Sequence, residues 1–547
     1  MILCKVVLLV VSIVGITGED KCIEIIENSW IKIDDVVIKN STLLSYPVCA
    51  SFVNQINQTG WSYLTIWSDP STDLNDSTIA YLAGYLEGYM TRELIDDHFD
   101  NAWRTYCTDD PEFCEKAFQF YQDNLLYMKD NLYELASSDP YWHQVALVLS
   151  QMTGISDGMY GKLIYKPGIN IDIHGKVFIL NIITDLMELE SVLKRGVNKK
   201  DQGFTTCSAM VKLVPGDLII GHATWYEFGC MLRILKKYYL PFRTESKPNS
   251  PAVPGKLISM SSYPGLIFSS DDYYLISTGL TVMETTLMNF NETSYQFVKP
   301  DAGVLTFIRT MVANRLAVDG QSWSQIFSRY NLGTYNNQFM IVDYKRFTAD
   351  KDEQESGLFW VLEQMPNLIV AQDMTSTLFK NNYWASYNIP YFKEVYQLAD
   401  YPSSVKKYGP TYDYNENSRA KQFKRKQVEV FDYKSLLRLL RYNNYQNDPD
   451  ARCNCTPPYS AGMSIASRAD LNDPKGKYDA TGVGFINEAA IDAKVTSFEL
   501  FKQFKMYAIS GPTYDDVPPF IWSNSILKDM FPHKGHPDAW VFEPIYF

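Results

Sequence analysis

Strand-like and helical segments alternate irregularly along this chain, no repeat or low-complexity linker separates them, and the apolar share suits a packed core. Those three features predict one large α+β domain. The 547 residues are 46% hydrophobic and 21% charged, with 38 Tyr and 29 Phe. Such a composition excludes disorder over most of the length. Charge narrows the partners: a formal net charge of −13 argues against a nucleic acid, whose phosphates call for clustered cations. The one basic run, Arg419-Ala-Lys-Gln-Phe-Lys-Arg-Lys426, reads as a solvated helix face.

Residues 1–18 hold one cation, Lys5, then an apolar run from Val6 to Val14 and a small-residue exit. This is the plan of a secretory signal cleaved near Gly18. The run falls short of the roughly 20 apolar residues a spanning helix needs, so no transmembrane anchor is expected, and the mature protein should be secreted or lysosomal. Acceptor triplets at Asn40, Asn57, Asn75, Asn291 and Asn454 agree with passage through a glycosylating compartment. Residues 23–38 and 62–67 read as strands. Residues 78–97 read as a helix whose Gly84 and Gly88 suit close helix contact, and residues 111–135 as a cleaner one. An apolar stretch at 177–193 runs into a charged, glycine-bearing segment, 194–203, without periodicity. It reads as an exposed loop, where chains are most easily nicked.

Local signals are sharpest next. Cys207-Ser-Ala-Met-Val-Lys-Leu-Val214 and Leu218-Ile-Ile-Gly-His-Ala223 are strand-like runs around Pro215-Gly-Asp217, a turn signal that predicts a hairpin. Its register sets Cys207 opposite Thr224 or Trp225, with His222 nearby. Thr224-Trp-Tyr-Glu227 matches a capping box, and Phe228, Met231, Leu232, Leu235 and Tyr238 follow at helical spacing, which predicts a helix here. Further strands are expected at 266–268, 273–276 and 339–342, and helices at 304–316 and 431–442.

In an exported chain the cysteines bear on disulfides. Cys107 and Cys114 bracket a turn-forming stretch that brings them within bridging reach. Cys22 and Cys49 can pair across the first strands. A bridge between Cys453 and Cys455 would close a tight ring around Asn454. Cys207 and Cys230 are left without obvious partners, and an unpaired thiol in such a protein is a candidate reactive group.

A thiol acts as a nucleophile only as thiolate, which needs a neighbouring base or positive field. Cleavage between Thr206 and Cys207 would put an α-amine, of ordinary pKa about 7.7–8.0, on the residue that carries the thiol. That amine can serve as its own general base. Read alone, Cys207 is an ordinary buried apolar cysteine. The segment from Thr206 to Trp225, however, resembles the nucleophile hairpin of the phospholipase B-like, or laminal ancestor, family. The resemblance continues through Gly84-Tyr-Leu-Glu-Gly88, Ser262-Tyr-Pro-Gly265, Met283-Glu-Thr-Thr286, Gly333-Thr-Tyr-Asn-Asn-Gln338, Tyr383-Trp-Ala-Ser-Tyr-Asn-Ile-Pro390 and Asp492-Ala-Lys-Val-Thr496, covering nearly the whole mature chain.

The resemblance implies an N-terminal-nucleophile hydrolase fold, an αββα sandwich of two mainly antiparallel sheets between helical layers. It also implies maturation by internal cleavage into residues 19–206, ending in the charged linker, and 207–547, starting at the nucleophile. Carried over residue by residue, Cys207 attacks the acyl carbonyl, His222 and Trp225 line the pocket, and Asn388 is the oxyanion-hole candidate. Thr224 stays below these because a capping role explains it equally well. The implied activity removes fatty acids from glycerophospholipids at a membrane or micelle surface. The alternatives are an amidase on N-acyl lipids or peptides, and a non-catalytic lysosomal lipid-binding protein. A serine-lipase reading lacks the Gly-x-Ser-x-Gly elbow. No cofactor is expected, and no metal motif appears among the six scattered histidines.

Overall fold

The structure, a computed structural model, describes residues 18–26, 30–35, 46–161, 171, 173, 175–195, 207–349, 351, 355–478 and 483–547. The signal-like residues 1–17, Asn40 and the linker residues 196–206 lie outside the described residues. In chain order the strands are β1 Glu19–Ile26, β2 Trp30–Asp35, β3 Val48–Gln55, β4 Trp61–Ser68, β5 Ser208–Val214, β6 Asp217–Ala223, β7 Trp225–Tyr226, β8 Arg233–Tyr239, β9 Leu257–Ser262, β10 Tyr273–Ile276, β11 Leu280–Thr286, β12 Asn337–Asp343, β13 Phe359–Met365, β14 Leu368–Asp373, β15 Tyr383–Ser386, β16 Ala489–Ala490, β17 Asp492–Ser497, β18 Tyr507–Ser510 and β19 Ile545–Tyr546.

Two sheets organise them. An eleven-stranded sheet runs β14-β13-β12-β11-β10-β9-β8-β4-β3-β1-β2 and a six-stranded one β15-β5-β6-β17-β18-β19, with β7 and β16 forming a small pair. Neighbours are antiparallel throughout both sheets except β4 and β8, which run parallel. One apolar core joins Leu235, Leu275 and Met283 of the large sheet to Val211 and Ile220 of the small one. A second packs the other face of the large sheet, including Ile66 and Ile234, against the helices Asp76–Ala102, Pro111–Leu135, Pro140–Met159 and Gly175–Val192. The helix Tyr433–Leu440 covers the outer face of the small sheet, where a Cβ on Gly221 would lie 2.5 Å from Leu440. The result is an α+β sandwich of two largely antiparallel sheets between helices. No helix among the described residues is long and apolar enough to cross a membrane.

Close packing explains the glycines of the first long helix. A Cβ on Gly84 would stand 1.9 Å from the Gln151 carbonyl oxygen, and one on Gly88 2.1 Å from that of Ile155, so this helix and Pro140–Met159 meet backbone to backbone. The helix expected at 111–135 spans Pro111–Leu135, with Asp110 capping it through the Phe113 N–H. The hairpin forms through a two-residue turn that pairs Val214 with Asp217.

Two expectations fail. Residues 266–268 form no strand, Ile267 and Phe268 lying in bends. The helix expected after Thr224 is instead β7, a short 3₁₀ turn at Phe228–Cys230, and strand β8. The reason is tertiary: β8 lies between β4 and β9 in the large sheet, covered on both sides, and its residues alternate between two layers. Ile234 and Tyr238 enter the helical core, whereas Leu235 enters the intersheet core. Two cations of β8 are buried ion-pair partners. Lys236 Nζ lies 2.7 Å from Glu87 Oε1, and Arg233 pairs with Asp271 and Asp492 at 2.9 and 2.8 Å.

Candidate active site

Cys207 stands immediately before β5 with 3% of its surface exposed. Because Ser208 pairs with Ala223, the register carries Cys207 alongside Thr224. His222, opposite Ala209, turns into the space between the sheets, and its Nε2 lies 2.9 Å from the main-chain oxygen of Glu284 on β11. Burial pushes the Cys207 thiol well above its ordinary pKa and nearby Glu284 adds to this, with a hydrogen bond from the Trp225 main chain opposing it. The thiol is therefore protonated. Burial, reinforced by Lys494, holds His222 well below the usual imidazole range, so its ring is neutral.

Behind these residues lies a fully buried ionic cluster. Arg233 binds Asp271 and Asp492, and Lys494 binds Asp271 and, at 2.9 Å, Asp492. Two cations and two anions cancel, as a low-dielectric interior requires. Burial pushes the Asp271 carboxyl up, but Arg233 and Lys494 outweigh it and hold it below the carboxylate range. The Thr224 hydroxyl donates to Asp271 at 3.0 Å and accepts from Lys494. Thr224 thus belongs to this cluster and not to a helix cap.

Asn388 and Trp225 are brought to Cys207 by a residue the sequence reading missed. Arg419, on the helix Ser418–Lys426, donates through Nη1 to the Cys207 main-chain oxygen at 2.6 Å and through Nη2 to Asn388 Oδ1 at 2.8 Å. Its guanidinium lies 4.4 Å from the centroid of the Trp225 ring. Burial lowers its pKa only to about 10, so it stays charged. Asn388 adopts a left-handed φ of 68°, and its Nδ2 donates to the Thr286 carbonyl at 2.8 Å. The expectation of a wholly solvated basic face at 419–426 is corrected. Arg425 is exposed and pairs with Asp448 and Asp450, but Arg419, Gln422 and Phe423 are buried. Phe423, apolar and four residues beyond Arg419, was the signal that this side of the helix points inward.

Folding also gathers three metal-ligand types that no sequence motif links. Ligand atoms of Cys207, His222 and Glu284 all lie within 4.8 Å of one another, and all three residues are buried. A cleft of about 860 Å³, lined by Leu213, Pro215, Phe347 and Phe431, is not part of this site. It opens at the turn end of β5, roughly 23 Å away at about 3.3 Å per strand residue.

The remaining candidate residues are peripheral. Disulfides join Cys107 to Cys114, Cys453 to Cys455 and Cys22 to Cys49, while Cys207 and Cys230 are free and buried. Asn57, Asn75 and Asn454 are exposed, with the Asn75 side chain capping a helix through the Thr78 N–H. Asn291 is half-buried, and its Nδ2, the atom that would carry a glycan, donates to the Leu398 carbonyl at 2.9 Å.

Comparison with known proteins adds an independent line. The family model described as Phospholipase B matches residues 48–547. A rat protein named "Putative phospholipase B-like 2" is 42% identical over 503 residues, covering 91% of this chain and 85% of the relative. The human protein of the same name is 40% identical over 503 residues with the same coverage. Phospholipase B-like protein B of Dictyostelium discoideum is 35% identical over 515 residues, covering 91% of this chain and 85% of its own.

Proposed function

The chain belongs to the phospholipase B family, and from that premise we propose that it hydrolyses fatty acyl esters of glycerophospholipids of the phosphatidylcholine, phosphatidylethanolamine and phosphatidylinositol class. The proposed fold type is the N-terminal-nucleophile hydrolase, with Cys207 as nucleophile and an exported, secreted or lysosomal, setting. The observation that carries this reading is the gathering of Arg419, Asn388, Trp225 and His222, from three separate segments, around Cys207, whose thiol is free and buried.

The proposed sequence begins with self-cleavage. The Cys207 thiol adds to the carbonyl carbon of Thr206, the C–N bond breaks as its nitrogen takes up the proton, and water opens the resulting thioester. Residues 19–206 then end in a carboxylate, and 207–547 begin with a free amine beside a thiol. In turnover that amine accepts the thiol proton and the sulfur attacks the ester carbonyl. The glycerol oxygen leaves with the proton from the amine, and water releases the fatty acid from the thioester. The Asn388 amide would stabilise the oxyanion, a contribution of about 3–4 kcal/mol for such donors. Arg419 would hold Cys207 and Asn388 in register.

The test offers matured protein phosphatidylcholine and an N-acylethanolamine side by side. Fatty acid release from the phospholipid, reduced at least about a thousandfold by Cys207→Ala, is expected. Release from the amide alone would replace the esterase reading with the amidase one. Function unchanged in Cys207→Ala would favour the non-catalytic lipid-binding reading.

A further inference from the structure

We propose that Cys207, His222 and Glu284 form a binding site for a thiophilic divalent cation of the zinc type, whose occupancy caps the sulfur. The ligand set is one that zinc takes: a cysteine sulfur, an imidazole nitrogen and a carboxylate oxygen. Around a tetrahedral zinc with bonds of about 2.0–2.3 Å, donor atoms stand about 3.3–3.8 Å apart. The three present lie within 4.8 Å of one another, so side-chain adjustments of about 1 Å close the geometry.

Two unsatisfied lone pairs point the same way. Glu284 is fully buried, and its Oε2 has no hydrogen-bond partner, a costly state for a buried acceptor. His222 Nε2 faces a carbonyl oxygen, which can only accept, so the ring proton sits on Nε2 and Nδ1 keeps its lone pair. The neighbour of Nδ1 is the Thr224 hydroxyl at 3.5 Å. That hydroxyl has one hydrogen, directed to Asp271 at 3.0 Å, and it accepts from Lys494. Nδ1 is left as an available donor to a metal, and the Nε2 contact to a backbone carbonyl is the orienting bond that metal-bound histidines usually make.

Charge completes the case. A thiolate, a carboxylate and a neutral imidazole sum to −2, which a divalent cation cancels. The adjoining Arg233, Lys494, Asp271 and Asp492 already cancel among themselves. The metal with its three ligands therefore carries no net charge. Binding breaks the S–H bond and releases that proton to solvent, with a second from Glu284 if its carboxyl is protonated.

This site shares Cys207 with the proposed nucleophile but does not depend on catalysis. The test strips the purified full-length protein with a chelator and titrates it with Co²⁺, which reports a thiolate ligand by near-ultraviolet absorption. One equivalent should produce that absorption, and added Zn²⁺ should abolish it. Cys207→Ala should lose it, and Glu284→Gln should weaken Co²⁺ binding at least tenfold. Absence of a thiolate band in the wild-type protein at one equivalent overturns the proposal without reference to any variant's folding. So does undiminished binding by Glu284→Gln. Lipid hydrolysis that needs Cys207 without any cobalt band would sink the metal site and spare the nucleophile. A band in a protein with no hydrolytic activity would do the reverse.

Discussion

The hairpin β5–β6 and the segment that follows it, β7 to β8, are neighbours in the chain but owe their structures to different things. The hairpin is written locally. Pro215-Gly216 makes the turn, with Gly216 at a φ of 73°, and apolar runs flank it. Segment 225–239 carries a helical spacing of apolar residues, yet it forms a strand because its cations meet carboxylates far away in sequence. Lys236 finds Glu87, 149 residues distant, and Arg233 finds Asp271 and Asp492. Where a buried charge must be paired, the location of the partner overrides local periodicity.

The strongest way to break this contrast is to remove a charge from β8. Arg233→Met leaves Asp271 and Asp492 short of a buried cation and should cost about 3–5 kcal/mol in denaturant unfolding. A loss under about 1 kcal/mol would show that distant carboxylates do not hold the segment. Thr224→Val should cost about 1–3 kcal/mol by depriving buried Asp271 of a donor, with Thr224→Ser restoring most of it. Thr224→Asn, a good helix cap, should be no better than Val; full rescue by Asn would revive the capping explanation. In the hairpin, Gly216→Ala should cost only about 1 kcal/mol, the strain of an alanine at positive φ, and leave the register unchanged by amide hydrogen exchange.

The smallest effect titrates groups outside both segments. Burial raises Glu188 and Glu363 to about 7 and Glu488 to about 8. The folded chain binds those protons more tightly than the unfolded one, so stability falls as pH rises from the ordinary carboxyl range through these values. Burial lowers His98 and His536 to about 3, and their contribution runs the other way, lost as pH falls below about 6.5. From pH 6.5 to 7.5 the carboxyls dominate, and the melting temperature should drop by about one to two degrees. A rise would contradict the account.

The site divides along the same line as the fold. Cys207 and His222 share a hairpin, so their proximity was legible from the turn alone, and Trp225 and Asn388 came from family motifs. Arg419, Asp271, Glu284 and Lys494 were not legible, because what places them is contact over long sequence separations. Arg419 reaches Cys207 across 212 residues, and Lys494 reaches Thr224 across 270. Periodicity could have shown only that one face of the Ser418–Lys426 helix turns inward at Phe423. The long helices at Asp76–Ala102 and Pro111–Leu135 were readable because glycine spacing and apolar periodicity are local signals. The strand Val48–Gln55 gave no such signal.

The proposed lipid hydrolysis requires a free amine on Cys207. Intact-mass and N-terminal analysis of the mature protein measures that directly. The account predicts a chain of residues 207–547 beginning with Cys207, and its absence from Cys207→Ala preparations. Active protein recovered solely as one continuous polypeptide through residues 206 and 207 would contradict it.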